Sequence, residues 1–346
     1  LKKTIDLIFN YENELNNRSV KIDGLDWILN MKFSKDFKKI KGDASFRKFY
    51  RNTKKNSIIV FANIEKIKNL LIYDAINKIL IKNNIIAPKL LSQNYRNNYI
   101  EIQDLGNKTI YQTFIKNKKN HYFILKKVIN VLNKIQRIKD KKIKNFNNEF
   151  YKIKDYNNKI LLNETKLFSD WYVPKKLNKK NIKIFNNKFN KEIKFLLLKL
   201  NFRNDTFVHR DFHVSNLIIN SKNQIGLIDN QDALIGNRAY DLASLIDDVR
   251  YKTSDSLKKK VYSYYLKTNK KISVDKFKND FDILSVLRNL KIIGIFMRLA
   301  ERDKKRKYLK LIPYAWNMID SRMSKNNDLI NLKLLLATNF PKFITK

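Results

Sequence analysis

An aspartate, an asparagine five positions on and a second aspartate thirteen beyond that make the most specific chemical pattern in this chain. They are Asp211, Asn216 and Asp229, set in His209-Arg210-Asp211-Phe212-His213-Val214-Ser215-Asn216 and Ile228-Asp229-Asn230. Phosphoryl transfer to a hydroxyl needs a carboxylate that orients the hydroxyl and receives its proton. It also needs hard oxygen ligands for the magnesium that bridges the nucleotide phosphates. Asp211 suits the first task. Asn216 and Asp229 suit the second, the amide supplying an oxygen without a further negative charge beside the phosphates. A single Asp or Asn here would read as a turn residue. The ordered set lies between short apolar stretches at Val208, Leu217-Ile218-Ile219 and Ile225 to Ile228. It therefore reads as polar groups held at strand ends and on a tight loop.

Around this set the chemistry is less specific. His209 is a packed, locally bonded ring or an acid–base group. His213, two residues past Asp211, faces substrate or packs, and three scattered histidines make no zinc site. Gly42-Asp43-Ala44-Ser45 is a tight turn whose amides, with the Ser45 hydroxyl and Arg47, suit nucleotide phosphates, although no Walker A ending follows. Gln103, Leu105 and Gly106 form a connection whose backbone suits adenine and whose small residues permit closure. Trp171 and Tyr172 are expected to line the acceptor side, with core packing the alternative for Trp171. Asp232 is a substrate-side candidate, and Asp241 reads as a brace for the Asp211 loop. Arg288, Lys291 and Arg298 share one helical face, directed at an acceptor carboxylate or at acidic partners within the protein.

The elements that must position these groups follow from periodicity. Phe37 to Ile40, Phe46 to Arg51, Ser57 to Phe61 and Tyr99 to Ile102 read as strands, and Ile64 to Ile81 as an amphipathic helix. Two short helices are expected in the first thirty residues. Further helices are expected at His121 to Ile138, Lys191 to Leu200, Tyr240 to Val249, Leu257 to Leu266, Phe277 to Arg298 and Leu309 to Ile319. Asn145 to Asn158 reads as an irregular polar loop, and the basic run Lys139 to Lys144 as a solvated helix end or loop.

Composition bounds the class. A chain of 346 residues buries a substantial core and is long enough for two unequal lobes. Cysteine is absent, which excludes disulfides, thiolate nucleophiles and cysteine zinc sites. The formal charge of +41 would suit nucleic acid, but Lys and Asn are spread through nearly every segment and form no basic stripe with stacking aromatics. No specific nucleic-acid partner is expected. Leu1 to Leu15 lacks a cleavage site and a long apolar core, and no uncharged run reaches eighteen residues, so the expectation is a cytoplasmic protein with no membrane partner. Oligomeric state leaves no trace in the pattern.

The loop and its second acidic site resemble those of the aminoglycoside phosphotransferase-like branch of the protein-kinase fold. Finer motifs resemble its anomeric kinases of N-acetylmuramate and N-acetylglucosamine. These are Lys41-Gly42-Asp43-Ala44-Ser45-Phe46-Arg47, Glu101-Ile102-Gln103-Asp104-Leu105-Gly106 and Leu167-Phe168-Ser169-Asp170-Trp171-Tyr172. Ile228-Asp229-Asn230-Gln231-Asp232-Ala233, Tyr240-Asp241-Leu242-Ala243-Ser244-Leu245 and Arg288-Asn289-Leu290-Lys291 follow in the same order. The resemblance implies an α+β, bilobal fold with a strand-rich nucleotide-binding lobe at 1–105 and a mainly helical catalytic and sugar-binding lobe at 106–346. It implies ATP and Mg2+ as cofactors, Asp211 as catalytic group, Asn216 and Asp229 as metal ligands, and an N-acetylated amino sugar phosphorylated at C1 in peptidoglycan recycling. Ile58-Ile59-Val60-Phe61-Ala62 lacks the lysine that kinases commonly carry on this strand, as the sugar-kinase subgroup does; Arg47 and Lys66 are the cations near enough in sequence to compensate. The competing readings are a related kinase of an aminoglycoside or choline-like amine and a non-catalytic kinase-like binder.

Overall fold

The computed structural model describes residues 35–40, 47–117 and 119–344. The two short helices expected in the first thirty residues, and Gly42, Asp43 and Ser45, lie outside them. The described chain divides into two compact units. One holds the described residues up to Asp74 together with Pro88–Asp104 and Asn145–Asn148; the other holds Ala75–Ala87, 105–144 and the chain from Glu149 onward.

The first unit is built on alternation. Five antiparallel strands, β1 (Phe37–Ile40), β2 (Lys48–Asn52), β3 (Ser57–Phe61), β4 (Leu90–Asn94) and β5 (Tyr99–Gln103), form a sheet in the order β1-β2-β3-β5-β4. In β3 and β5 successive side chains point to opposite faces. Ile58, Val60, Ile100 and Ile102 pack with Leu70 and Tyr73 of the Lys68–Lys82 helix, while Ile59 packs with Tyr50 on the reverse side. Both faces of β3 are thus apolar, and this strand carries no cation. Arg47 is buried against Phe49 and Tyr73 and donates to Asn69 Oδ1 at 3.2 Å. Lys66 is exposed on a short 3-10 turn. Asp104 is gripped by the Arg51 guanidinium, with Nη2 donating at 3.1 Å, and the Gln103 amide donates to Lys89 O at 2.8 Å.

The second unit is mainly helical and is organised by one element, the 28-residue helix Val274–Glu301. Its residues are buried on nearly every side, which is why it shows no clean amphipathic stripe. It packs against Asn158–Leu167, Ala239–Ile246 and Ile312–Met323. Gly294 marks the closest crossing: a Cβ there would lie 2.2 Å from the Leu167 carbonyl carbon, so the two backbones meet where any other residue would force them apart. Leu167 leads into one turn of π-helix, Phe168–Tyr172, that this crossing presses into an aromatic core of Phe185, Phe189, Trp316 and Phe340. No helix among the described residues is long and apolar enough to cross a membrane.

A buried ion cluster braces the same unit. The Asp247 carboxylate accepts from Ser285 Oγ at 2.6 Å, Arg322 Nε at 2.8 Å and Lys258 Nζ at 3.0 Å. Burial alone would raise its pKa, but Arg322 and Lys258 outweigh that and bring it down to about 2. Because the folded value lies below the unfolded one, this contribution is complete above the unfolded carboxylate pKa of about 4 and fades as pH falls toward 2. Asp247→Ala, which strands the cations, is expected to cost about 3–5 kcal/mol in urea unfolding at neutral pH. The variant should also lose part of the wild-type stability change between about pH 4 and 2; an unaltered acid slope would contradict the assignment.

Candidate active site

Two short antiparallel ladders frame the Asp211 loop. Thr206–Val208 pairs with Leu234–Gly236, and Leu217–Ile219 pairs with Ile225–Leu227. The β-branched and leucine residues of these three-residue strands are fully buried, which fixes the loop ends. Between them Arg210 adopts φ +73°, a left-handed conformation costly for a long side chain. Asp241, buried in the first turn of Ala239–Ile246, holds it there: its carboxylate accepts the His209 amide at 2.7 Å and the Arg210 amide at 3.0 Å. Burial pushes the Asp241 pKa up to about 6 against the opposing pull of His209 and the two amides. The His209 ring is buried and locally bonded, with Nε2 placed 2.9 Å from Asn230 Oδ1 and 3.2 Å from Ile228 O.

The ladder carries Asn216 to Asp229. Beyond the Leu217–Leu227 pair, the Ile228 amide donates to Asn216 O at 3.1 Å, so Asn216 and Asp229 leave neighbouring strand ends together. The Asn216 amide nitrogen donates to Asp211 O at 3.0 Å, which ties the third group to the pair and turns Oδ1 the other way. Asp229 sits at φ +63°, a region Asp and Asn tolerate better than most residues, and its Oδ1 accepts from Gln231 Nε2 at 3.1 Å. The same Gln231 nitrogen donates to the exposed Asp232 at 2.7 Å. An amide oxygen and a carboxylate are hard donors that fit magnesium. Among the described residues no three His, Cys, Asp or Glu groups form a cage of their own, so these donors suit an ion completed by phosphates and water.

Asp211 is half-buried. Burial would raise its pKa, yet Lys291, Arg288 and Arg250 outweigh it and hold the carboxyl well below the usual range. Arg210, next in the chain, ion-pairs with Glu164, which also accepts from the Tyr156 hydroxyl and from Lys291 Nζ at 2.8 Å. Glu164 thereby ties the loop to two helices, Asn158–Leu167 and Val274–Glu301. His213 is buried, with Nε2 in a long 3.5 Å contact to the Asn216 amide; burial and Arg250 bring its pKa down to about 3, so the ring is neutral.

The other sequence candidates separate. Lys291 is engaged by Glu164, Arg288 is buried, and Arg298, ten residues or about 15 Å of helix beyond Arg288, interacts with Arg302 and Asp303. Tyr172 does not line a wall: it is 1% exposed, and its hydroxyl accepts from Trp316 Nε1 at 3.2 Å in the aromatic core. Phe168 and Tyr172 lie four residues apart and stack, whereas Trp171 between them is half-buried. Leu105 presses its Cδ1 to 3.1 Å from where a Gly226 side chain would begin. Sequence reading missed Tyr156, Glu164, Asp248 and Arg250. With only 32 acidic residues against 73 basic ones, Glu164 and Asp248 are scarce enough to count as candidates, but nothing in their spacing names their partners.

A strand-rich unit, a mainly helical unit and a loop carrying Asp211 ahead of Asn216 and Asp229 define the α+β fold of the protein-kinase type, with a small and a large lobe. The family model described as "Phosphotransferase enzyme family" matches residues 36–271, and the chain belongs to that family. It is 26% identical over 317 residues to an N-acetylmuramate/N-acetylglucosamine kinase of Neisseria meningitidis, covering 85% of this chain and 88% of that one. Among solved structures it is similar to a choline/ethanolamine kinase family protein from Mesorhizobium loti, with TM-score 0.60, 10% identity and coverage of 88% and 93% of the two chains. The GDP complex of wild-type aminoglycoside 2'-phosphotransferase-IIIa gives TM-score 0.58 at 11% identity, covering 82% of this chain and 93% of that one.

Proposed function

We propose that the protein is a magnesium- and ATP-dependent kinase of a small hydroxyl compound, and that the acceptor is the anomeric hydroxyl of an N-acetylated amino sugar. N-acetylmuramate is the favoured sugar and N-acetylglucosamine a second; the products are the sugar 1-phosphate and ADP. The observation that carries the kinase reading is the joining of Asp211, Asn216 and Asp229 through the Asn216 side-chain bond and the Asn216–Ile228 backbone bond. Asp211 orients the hydroxyl and receives its proton, while Asn216 Oδ1 and the Asp229 carboxylate hold magnesium. The bound ion neutralises charge on the nucleotide phosphates. Gly42, Asp43, Ser45, Gln103 and Leu105 are assigned to the nucleotide on sequence pattern.

The amino-sugar assignment is supported by the Neisseria kinase and by the cations around Asp211. Lys291, Arg288 and Arg250 repel a polycationic acceptor, which weighs against an aminoglycoside or choline-like substrate despite the shared fold. A non-catalytic binder has no need of the three joined groups. The test is a panel of N-acetylmuramate, N-acetylglucosamine, choline and aminoglycosides with MgATP, the position of phosphate being read by phosphorus NMR. Anomeric phosphate on the sugars is expected. Phosphate on another oxygen, or preference for the amines, removes the sugar assignment and leaves the kinase.

A further inference from the structure

The helix Val274–Glu301 presents three polar groups at three-residue spacing toward the Asp211 loop and the segment after Ala239–Ile246. Ser285 anchors Asp247 at 2.6 Å, and Lys291 anchors Glu164, hence Arg210, at 2.8 Å. Arg288 lies between them. It is 3% exposed, and its Nη1 has no hydrogen-bond partner among the described residues. On the Asp247 side, Asp248 is 2% exposed; its Oδ1 accepts the Arg250 amide at 3.0 Å, while its Oδ2 has no hydrogen-bond partner among the described residues. Arg288 is one helical turn from Lys291, whose partner Glu164 also holds Arg210 beside Asp211, and one turn from Ser285, whose partner Asp247 precedes Asp248, so both side chains belong to the surroundings of the Asp211 loop. A buried guanidinium nitrogen and a buried carboxylate oxygen left unmatched are costly unless something supplies the complementary atoms. Neither atom satisfies the other. A molecule that satisfied both atoms would carry an anionic oxygen and a hydroxyl.

We propose that Arg288 and Asp248 are the acceptor-recognition pair of this kinase: Arg288 Nη1 donates to a carboxylate of the acceptor, and Asp248 Oδ2 accepts from one of its hydroxyls. This rests on the proposed kinase function and sharpens it to a hydroxylated acceptor bearing a carboxylate. Arg250, held by Asp248, keeps the surroundings positive. N-acetylmuramate has the carboxylate and N-acetylglucosamine lacks it, so Arg288 separates the two while Asp248 serves both.

The test measures kcat and KM with MgATP for wild type, Arg288→Gln and Asp248→Asn on three acceptors: N-acetylmuramate, its carboxyl methyl ester and N-acetylglucosamine. Wild type is expected to lose about 30-fold in kcat/KM on going from the acid to the ester, carried by KM. Arg288→Gln should abolish that difference and lose at least about tenfold more on the muramate than on the glucosamine. Asp248→Asn should raise KM for all three. Equal turnover of acid and ester by wild type overturns the inference. So does an Arg288→Gln variant that loses kcat equally on every acceptor with KM unchanged, since the guanidinium would then serve the transferred phosphoryl group. Should Arg288→Gln fail to fold, the acid–ester comparison on wild type decides alone. If wild type phosphorylates neither sugar, the proposed function falls and takes the inference with it; sugar turnover without carboxylate discrimination sinks the inference only.

Discussion

Asp211→Asn is expected to lower kcat by about 10²–10⁴-fold while MgATP affinity stays within a few-fold of wild type. The substitution is close to isosteric, and the loop does not depend on the side chain it changes. Asp241 holds the His209 and Arg210 amides, and Asn216 bonds to the main-chain oxygen of residue 211 rather than to its carboxylate. What is lost is one anion facing Lys291, Arg288 and Arg250, and with it the group proposed to position the acceptor hydroxyl. Because those cations hold Asp211 well below the usual carboxylate range, the wild-type rate should show no acid limb from this residue between about pH 5 and 8. Calorimetry on MgATP and chromatographic product assay separate the two effects. Near-normal sugar phosphorylation by the folded variant would remove Asp211 from the chemistry.

The groups assigned to the chemistry were legible in the sequence because their spacing is dictated by local structure. Five residues from Asp211 to Asn216 make one tight loop, and thirteen from Asn216 to Asp229 make one hairpin, so no long-range packing is needed to bring them together. Of the groups that hold them, Asp241 reads from the sequence as a brace for the loop, whereas Glu164 carries no such sign. Glu164 reaches Arg210 across 46 residues and Lys291 across 127, and Asp241 reaches the loop across about 30. Contacts of that separation leave no periodicity to read.

The fold shows the same division. Helices with a one-sided apolar stripe, such as His121–Ile135, were found near their observed limits. The edge strand Leu90–Asn94 was missed because an outer strand has little to bury, and most of its residues are polar. Lys142–Lys144 read as a solvated run but pairs with Phe150–Lys152, where Lys142 and Lys144 lie over the Phe150 ring at 4.2 and 5.3 Å. Lysine stems packed on an aromatic face give a strand that hydropathy alone hides. Tyr172 illustrates the reverse error. Aromatics near a site invite a sugar-binding role, but the four-residue step to Phe168 was the periodicity of a buried helical face.

Asp229→Asn is expected to weaken binding of the magnesium–nucleotide complex by about 100-fold or more and to reduce turnover with it. Asn is the informative replacement because residue 229 sits at φ +63°, where an alanine would add backbone strain to the loss of a ligand. Asparagine tolerates that conformation, and its Oδ1 remains available to the Gln231 amide that Asp229 now accepts at 3.1 Å. The change therefore removes one negative charge and little else. Asn216, the neutral proposed ligand at the adjoining strand end, would supply an oxygen with no charge to compensate. Raising magnesium should recover part of the lost turnover in Asp229→Asn and none in Asp211→Asn, since only the first variant is limited by occupancy of the ion. Thermal unfolding of the two unliganded variants should stay close to wild type. Unchanged nucleotide affinity in Asp229→Asn would show that the metal is held elsewhere, with Asp211 still free to act on the acceptor.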